Sequence, residues 1–399
     1  MTLVLKKLVL YCWNWVVPPQ KRRKKSDKDE LDPERSHLQI VIRAARVGYR
    51  RLVTAKQSKS TIINLLFRSM SVPKYLGTSL NSQQVKFEML SQLEHNHLNH
   101  GRSHPKTSQW ASEHAHTEVA RGRNRYSNVF PYDRTRVSLP ILDGHSDYIN
   151  ASYVSIRLPE SEKVETRYIA TQGPLNNTVH HFWAMCYNES EKQGNDVVII
   201  AMLTPTVESN MIKCSCYWPE IDGSEYDFSE SLKADGSVLQ LLSLKRIRTE
   251  YNHTGQFHCT VLELRQGTKL KTVYHIYYEG WADTRVPPSL APLLEISKVI
   301  SQLQATNTRG TDPIPIVHCS AGVGRTGTFI VLDTLLNLQN FHQIGLKQDG
   351  EHHYDPIFDL VDQLRNNRMM MVQTVHQYRF LYQATRDYYK ATYFDGVRE

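Results

Sequence analysis

The stretch Val317-His-Cys-Ser-Ala-Gly-Val-Gly-Arg-Thr-Gly327 sets one thiol, Cys319, six residues ahead of one guanidinium, Arg325. Small residues dominate the space between them. The apolar run Ile314 to Val317 leads in, and the apolar run Thr328 to Leu338 leads out. That pattern predicts a strand, a tight loop and a helix. Such a junction aims successive backbone N–H groups and a helix N-terminus at one point, which suits an anion. A thiolate placed there has its pKa lowered, often to about 3.5–7.5. Arg325 can grip two oxygens of a tetrahedral oxyanion in a fork. A nucleophile on the floor of a phosphate cradle implies phosphoryl transfer to cysteine.

The glycines alone permit another reading. Gly322-Val-Gly-Arg-Thr-Gly327 also fits G-x-G-x-x-G between a strand and a helix, the pattern of a dinucleotide site. That pattern expects an acid at a strand end about 20 residues later. Leu346 to Gly350 offers only Asp349, in a loop-like stretch. The reading also leaves Cys319, Asp283 and Gln373 without a role, and it is set aside.

The 399 residues suffice for one large or two ordinary domains, and 40% hydrophobic content allows a sizeable core. The six cysteines show no regular framework, and only Cys214 and Cys216 lie close together. This usage fits a reducing compartment, where a catalytic thiol stays free. The net charge of +8 is uneven: residues 1–110 hold 20 Lys and Arg against 7 Asp and Glu, and the remainder 28 against 33. The basic character therefore belongs to an N-terminal arm.

Within that arm Leu8 to Val17 is apolar but too short to span a bilayer as a helix. Pro18-Pro19 and the run Lys21 to Lys25 follow it. The expectation for residues 1–79 is a basic, disordered or partly helical arm, solvated as charge blocks usually are. An interfacial membrane contact and a nuclear address are the alternatives. Leu38 to Val53 could form a basic amphipathic helix with Arg43, Arg46, Arg50 and Arg51 on its polar side. Met70 is a second candidate for the start of the functional product.

From Ser79 the texture changes. Gln83 to Leu93 reads as a helix. His95 to His116 is polar, with six histidines but no helical i, i+4 pair with an acid between, and reads as a surface loop rather than a metal site. Tyr148 to Val154 and Thr166 to Thr171 read as strands, and Leu175 to Glu191 as a helix. Val197 to Leu203 is a continuous apolar run, expected to be a buried central strand. Val238 to Thr249, His258 to Arg265 and Thr272 to Tyr278 suggest an antiparallel meander. Pro288 to Gln304, Phe329 to Asn340, Pro356 to Asn366 and Thr374 to Ala391 read as helices. The expected fold is α/β: a mixed, highly twisted central sheet flanked by helices, preceded by the basic extension.

The chain from about residue 80 to 395 resembles the protein tyrosine phosphatases of the non-receptor, cysteine-dependent, phosphotyrosine-specific type. The resemblance rests on ordered motifs: Asn124-Arg-Tyr-Ser-Asn-Val-Phe-Pro-Tyr-Asp133, Asp147-Tyr-Ile-Asn-Ala-Ser152, Tyr168-Ile-Ala-Thr-Gln-Gly-Pro174, Lys213-Cys-Ser-Cys-Tyr-Trp-Pro219, Trp281-Ala-Asp283, the signature loop, and Gln373-Thr-Val-His-Gln377. It implies a single catalytic domain over 80–395 that hydrolyses phosphotyrosine in proteins through a cysteinyl-phosphate intermediate, with no metal and no cofactor.

The resemblance also assigns roles. Cys319 is the nucleophile, and Arg325 binds the phosphoryl oxygens with the backbone of Ser320, Ala321, Gly322, Val323 and Gly324. His318 organises the loop, and Thr326 stabilises the thiolate as it leaves phosphorus. Glu208 orients Arg325, and Lys213 pairs with the acid-bearing loop. Asp283 is the general acid, needed because tyrosine's pKa of about 10 makes tyrosinate a poor leaving group. Trp281 anchors the loop that carries it. Gln373 and Gln377 hold the attacking water of the second step. Tyr126 walls a slot deep enough for phosphotyrosine and too deep for phosphoserine.

The chain departs from the family pattern at three places. Ala282 stands where Trp-Pro-Asp is usual, so the loop should lose more entropy on closing, about 0.4–1 kcal/mol. Thr284-Arg285 replace the usual His-Gly. Asn128 stands where many relatives have an acid that binds the substrate backbone, and Ser127 where some have a basic residue; both weaken selection by peptide charge. Met369 to Met371 fit either an apolar approach to the site or core packing. Two alternatives stay open on the residues alone, a silent phosphotyrosine-binding module and a dual-specificity phosphatase. Expected partners are phosphotyrosine-containing proteins, with kinase activation loops suggested by family analogy. Nucleic acid is not expected. A cytoplasmic monomer is the remaining expectation, with the arm able to direct the enzyme to the nucleus or a membrane surface.

Overall fold

The structure is a computed structural model that describes residues 72–141, 144–158, 165–228, 242–283, 285–307, 309–337 and 354–393. The Leu38 to Val53 helix, the rest of the arm to residue 71, Thr284 and Asp349 lie outside these residues. The described residues from Val72 onward belong to one compact unit.

Its strands are β1 (Arg136–Ser138), β2 (Tyr148–Arg157), β3 (Glu165–Thr171), β4 (Val197–Met202), β5 (Val207–Glu208), β6 (Met211–Ile212), β7 (Glu225–Asp227), β8 (Ser243–Asn252), β9 (Phe257–Gln266), β10 (Lys269–Tyr277) and β11 (Ile316–His318). Its helices are α1 (Leu80–Ser103), α2 (Glu118–Arg123), α3 (Val179–Gln193), α4 (Ala291–Thr306), α5 (Gly324–Leu336), α6 (Pro356–Asn367) and α7 (Val375–Tyr393). A nine-stranded sheet runs in the order β1-β2-β3-β11-β4-β10-β9-β8-β7, and β5 and β6 form a separate hairpin. β3, β11, β4 and β10 are mutually parallel, whereas the outer pairs are antiparallel. The α/β class, the mixed sheet and the β8–β10 meander agree with the sequence reading.

The parallel core explains where the site forms. Val198, Ile200 and Met202 face one apolar cluster with Ile316, while Ile199, Ala201 and Val317 face the other. Both faces of β4 and β11 are therefore covered, as continuous apolar runs require. The helix α3 covers one face; α4, α5, α6 and α7 cover the opposite one, with Leu76 packed among them. Because the four parallel strands point the same way, the segments leaving β3, β4, β10 and β11 emerge on one edge. That carboxyl edge is where open α/β sheets bind ligands.

One expectation needs correction. The helix expected over Gln83 to Leu93 runs on to Ser103, so His95, His97 and His100 are helical rather than in a loop. Hydropathy missed this because the inward face there uses Glu94, His97 and Gly101 in place of apolar side chains. The His97 ring stacks on Trp110 with centroids 3.9 Å apart, and the backbone of Trp110 packs against Gly101. The helix expected over Phe329 to Asn340 begins five residues earlier, at Gly324, and residues 338–340 lie outside the described residues; Leu175 to Glu191 begins as a short 3-10 turn, Asn176–Thr178.

Candidate active site

The signature loop leaves β11 at His318 and enters α5 at Gly324. Val323 precedes the helix without a side-chain cap, so the first N–H groups of α5 remain directed at the loop. Gly322 has φ +72°, and a Cβ there would lie 2.0 Å from the carbonyl oxygen of Thr171. Only glycine lets the loop close that tightly against the end of β3.

Cys319 is buried. Burial alone pushes its thiol up, but the Arg325 guanidinium, the Thr326 hydroxyl and the N–H groups of Thr326 and Val323 overcome it and hold the pKa below the ordinary value. The Thr326 hydroxyl is buried and completes no hydrogen bond to oxygen or nitrogen, so its hydrogen is free to turn to the sulfur. His318 contacts the Cys319 carbonyl through Nδ1 at 3.1 Å and the Tyr217 hydroxyl through Nε2 at 2.7 Å. That hydroxyl also lies 2.8 Å from His275 Nε2. Burial pushes His318 down to about 4 and His275 to about 3, so both are neutral supports rather than bases.

Arg325 is buried and faces the acid loop. Its Nη1 donates to the Trp281 carbonyl at 2.7 Å and lies 3.6 Å from Glu208, and its Nη2 lies 3.4 Å from Asp283. Glu208 reaches across from β5 and accepts the Asp283 N–H at 2.6 Å. Lys213, buried after β6, donates to Asp283 at 2.8 Å, and that bond raises its own pKa. Trp281 is fully buried and donates from its indole to the Arg285 carbonyl at 2.9 Å. The expected set of Cys319, Arg325, Asp283, Glu208, Lys213 and Trp281 thus meets at one point.

The remaining residues ring this centre. Ser320 donates to the Lys213 carbonyl at 2.7 Å, and the Tyr126 hydroxyl lies 2.8 Å from the Ser320 hydroxyl. Tyr126 is half-buried beside the signature loop, while Ser127 and Asn128 are exposed. Gln377 is buried and accepts the N–H groups of Gln373 and Thr374 at 3.0 and 3.3 Å. Both glutamine side chains pack on Gly324, where a Cβ would lie 3.0 Å from Gln377 and 3.2 Å from Gln373. Met369 and Met371 are buried core residues and do not line an approach.

The sequence reading missed the arginines behind the loops. Arg368 is fully buried; it donates to the carbonyls of Gly322 and Ala321, each at 3.0 Å, and to Asn150 and Ser152 at 2.7 and 3.2 Å. Arg125 grips the Gly173, Pro174 and Ile212 carbonyls at 2.9, 2.6 and 3.0 Å. Arg125 lies inside a quoted motif and could have been singled out. Arg368 carries no local signal, since a helix-end arginine is normally exposed.

Known proteins of one family are similar to this chain. The family model described as protein-tyrosine phosphatase matches residues 120–387. A curated relative, tyrosine-protein phosphatase 1 of Saccharomyces cerevisiae, is 37% identical over 79% of this chain and 97% of its own length. Tyrosine-protein phosphatase non-receptor type 2 of Rattus norvegicus is 35% identical over 66% of this chain, which spans 55% of that protein. A solved structure concerned with PTPN18 on distinct HER2 tyrosine phosphorylation sites aligns with TM-score 0.60 and 26% identity, covering 77% of this chain and 94% of that one. The chain belongs to the protein-tyrosine phosphatase family. It is a phosphoric monoester hydrolase, and the silent-binder and dual-specificity alternatives are not favoured.

Proposed function

We propose that the domain over residues 80–395 hydrolyses phosphotyrosine in proteins by the following division of labour. The Cys319 thiolate attacks phosphorus as the bond to the tyrosyl oxygen breaks, and Asp283 gives that oxygen its proton. Arg325 and the N–H groups from Ser320 to Gly324 hold the three non-bridging oxygens throughout. Water held by Gln373 and Gln377 then attacks the phosphocysteine. Its proton goes to Asp283, the P–S bond breaks, and Cys319 leaves as a thiolate aided by Thr326.

The protonation of Asp283 follows from its neighbours. Lys213 and Arg325 favour the carboxylate. A phosphate dianion draws the Arg325 fork to itself and adds negative charge nearby. Both changes favour the protonated acid that the first step requires.

The observation that carries this reading is the convergence on Arg325. The cation that lowers the Cys319 pKa also binds the acid loop at Trp281 and Asp283. Hydrolysis of a small aryl phosphate by the full chain tests it: Cys319→Ser is expected to remove turnover. Comparable turnover in that variant would overturn the assignment. Phosphotyrosyl and phosphoseryl peptides of one sequence test the Tyr126 slot, with the phosphoseryl peptide expected to remain intact.

We further read the residues before Val72 as a basic arm; residues 72–79, expected in that arm, pack with the catalytic unit through Tyr75 and Leu76. The free catalytic thiol points to the cytoplasm, and phosphotyrosyl proteins, kinases among them, are the substrates this reading assigns. Among the described residues no helix is long and apolar enough to cross a membrane.

A further inference from the structure

The glutamine loop has an unusual backbone. Met370 and Val372 have φ of +60° and +57°. A β-branched residue in that region is a real outlier, held only by surroundings that over-determine it. The surroundings are specific. Arg365 donates from Nε to the Met371 carbonyl at 3.0 Å and from Nη2 to the Val372 carbonyl at 3.0 Å. The Met370 N–H donates to the Glu94 carboxylate, whose other oxygen lies 3.4 Å from Arg365 Nη1.

Arg365 is in turn gripped by one face of α1. Its guanidinium lies 5.1 Å from the Phe87 ring centroid, and its Nη1 lies 3.5 Å from the Ser91 hydroxyl. Phe87, Ser91 and Glu94 follow the i, i+4, i+7 spacing of a single helical stripe. That stripe, far from the signature loop in sequence, therefore fixes the three peptide units that precede Gln373. Both Glu94 and Arg365 are buried, so neither is an incidental surface pair.

We propose that Glu94 and Arg365 are positioning residues for the second half-reaction, setting Gln373 over the phosphocysteine so that its water attacks phosphorus in line. The inference rests on the assignment of Gln373 to that water. The first half-reaction needs Cys319, Arg325 and Asp283, none of which Glu94 or Arg365 contacts; the segment they hold meets the signature loop through the Val372 N–H, which donates to the Val323 carbonyl at 3.2 Å. A misplacement near 1 Å at a reacting group costs up to about 10²-fold. The clamp should therefore act on one step and spare the other.

Pre-steady-state kinetics of the full chain with p-nitrophenyl phosphate separate the steps. The burst of nitrophenolate reports attack by Cys319, and decay of labelled phosphoenzyme reports attack by water. For Glu94→Ala and Arg365→Lys, the burst constant is expected within about twofold of the parent, with phosphoenzyme decay slowed about tenfold. Glu94→Gln keeps an acceptor for the Met370 N–H and should fall between. It also serves where Glu94→Ala fails to fold. Parallel loss of both rate constants in Glu94→Gln, or no change in decay, overturns the proposal. A Gln373→Ala variant distinguishes the two layers. Parent-like decay in it overturns the assignment of Gln373 and the clamp with it; slowed decay beside unaffected Glu94 variants overturns the clamp alone.

Discussion

The signature loop and the acid loop converge on Arg325, yet they are held on different terms. Behind Cys319 the loop is braced by Arg368 at two carbonyls, by His318 at a third and by the Ser320 hydroxyl on Lys213. Each brace is buried and satisfied. The acid loop rests on Trp281, which is buried, and on Asp283, whose side chain is 38% exposed and tied to groups that also face the phosphate site. A nucleophile buried in a rigid cradle keeps its thiolate stabilised between turnovers. An acid on a lightly held loop can release its ion pairs when substrate arrives and close over it.

Four perturbations would break or sharpen this contrast. The largest effect is expected from Asp283→Ala, which should lower kcat on a phosphotyrosyl peptide by about 10²–10⁴-fold. The loss should be smaller on an aryl phosphate whose phenol has a low pKa, because that leaving group needs less protonation. Equal losses on both substrates would remove Asp283 from the acid role.

Replacing Arg368 with Met should come next. It leaves the Gly322 and Ala321 carbonyls buried without their donor, at about 1–3 kcal/mol each. The urea midpoint should fall accordingly, and the cradle should lose its hold on Cys319. Unchanged stability would mean that the loop does not depend on this brace.

Acid should act on the same foundation. His318 and His275 have folded pKa values near 4 and 3 against an ordinary value of 6.5. Above pH 6.5 both are neutral folded or unfolded, and their full contribution is present. As pH falls from 6.5 toward 4, the unfolded chain binds protons that the folded chain refuses. Stability is therefore lost across that window, by on the order of a few kcal/mol. Denaturant midpoints at pH 7 and pH 5 measure it, and His275→Asn should flatten the dependence.

The smallest effect is expected at the acid loop's own backbone. Ala282→Pro should leave kcat within about tenfold, since proline changes only loop entropy by about 0.4–1 kcal/mol. A hundredfold change in either direction would show that residue 282 governs closure.

Much of this site was legible along the chain, and the reason is local. Cys319, the glycines and Arg325 lie in one segment, where a strand-loop-helix junction alone demands small residues and favours an anion. Asp283, Glu208, Lys213, Gln373 and Gln377 were legible only through the resemblance, because a loop aspartate or glutamine carries no periodic signal. The extension of α1 to Ser103 was not legible, because Glu94 and His97 face inward there and hydropathy reads them as surface. Arg365 and Arg368 were invisible too: Arg368 serves carbonyls 46 and 47 positions away, and Arg365 is buried against Glu94, far away in the chain.

By itself the sequence determined the chemistry, since a thiol and a guanidinium six residues apart across glycines admit few other uses. It also determined that a buried strand must feed that loop, because Ile314 to Val317 has no polar face. Only the tertiary structure decided what holds the chemistry in place. Four parallel strands release their loops on one edge, and buried arginines satisfy the carbonyls those loops leave over. Such pairings join residues 46 to 87 positions apart, and no local pattern of residues encodes them.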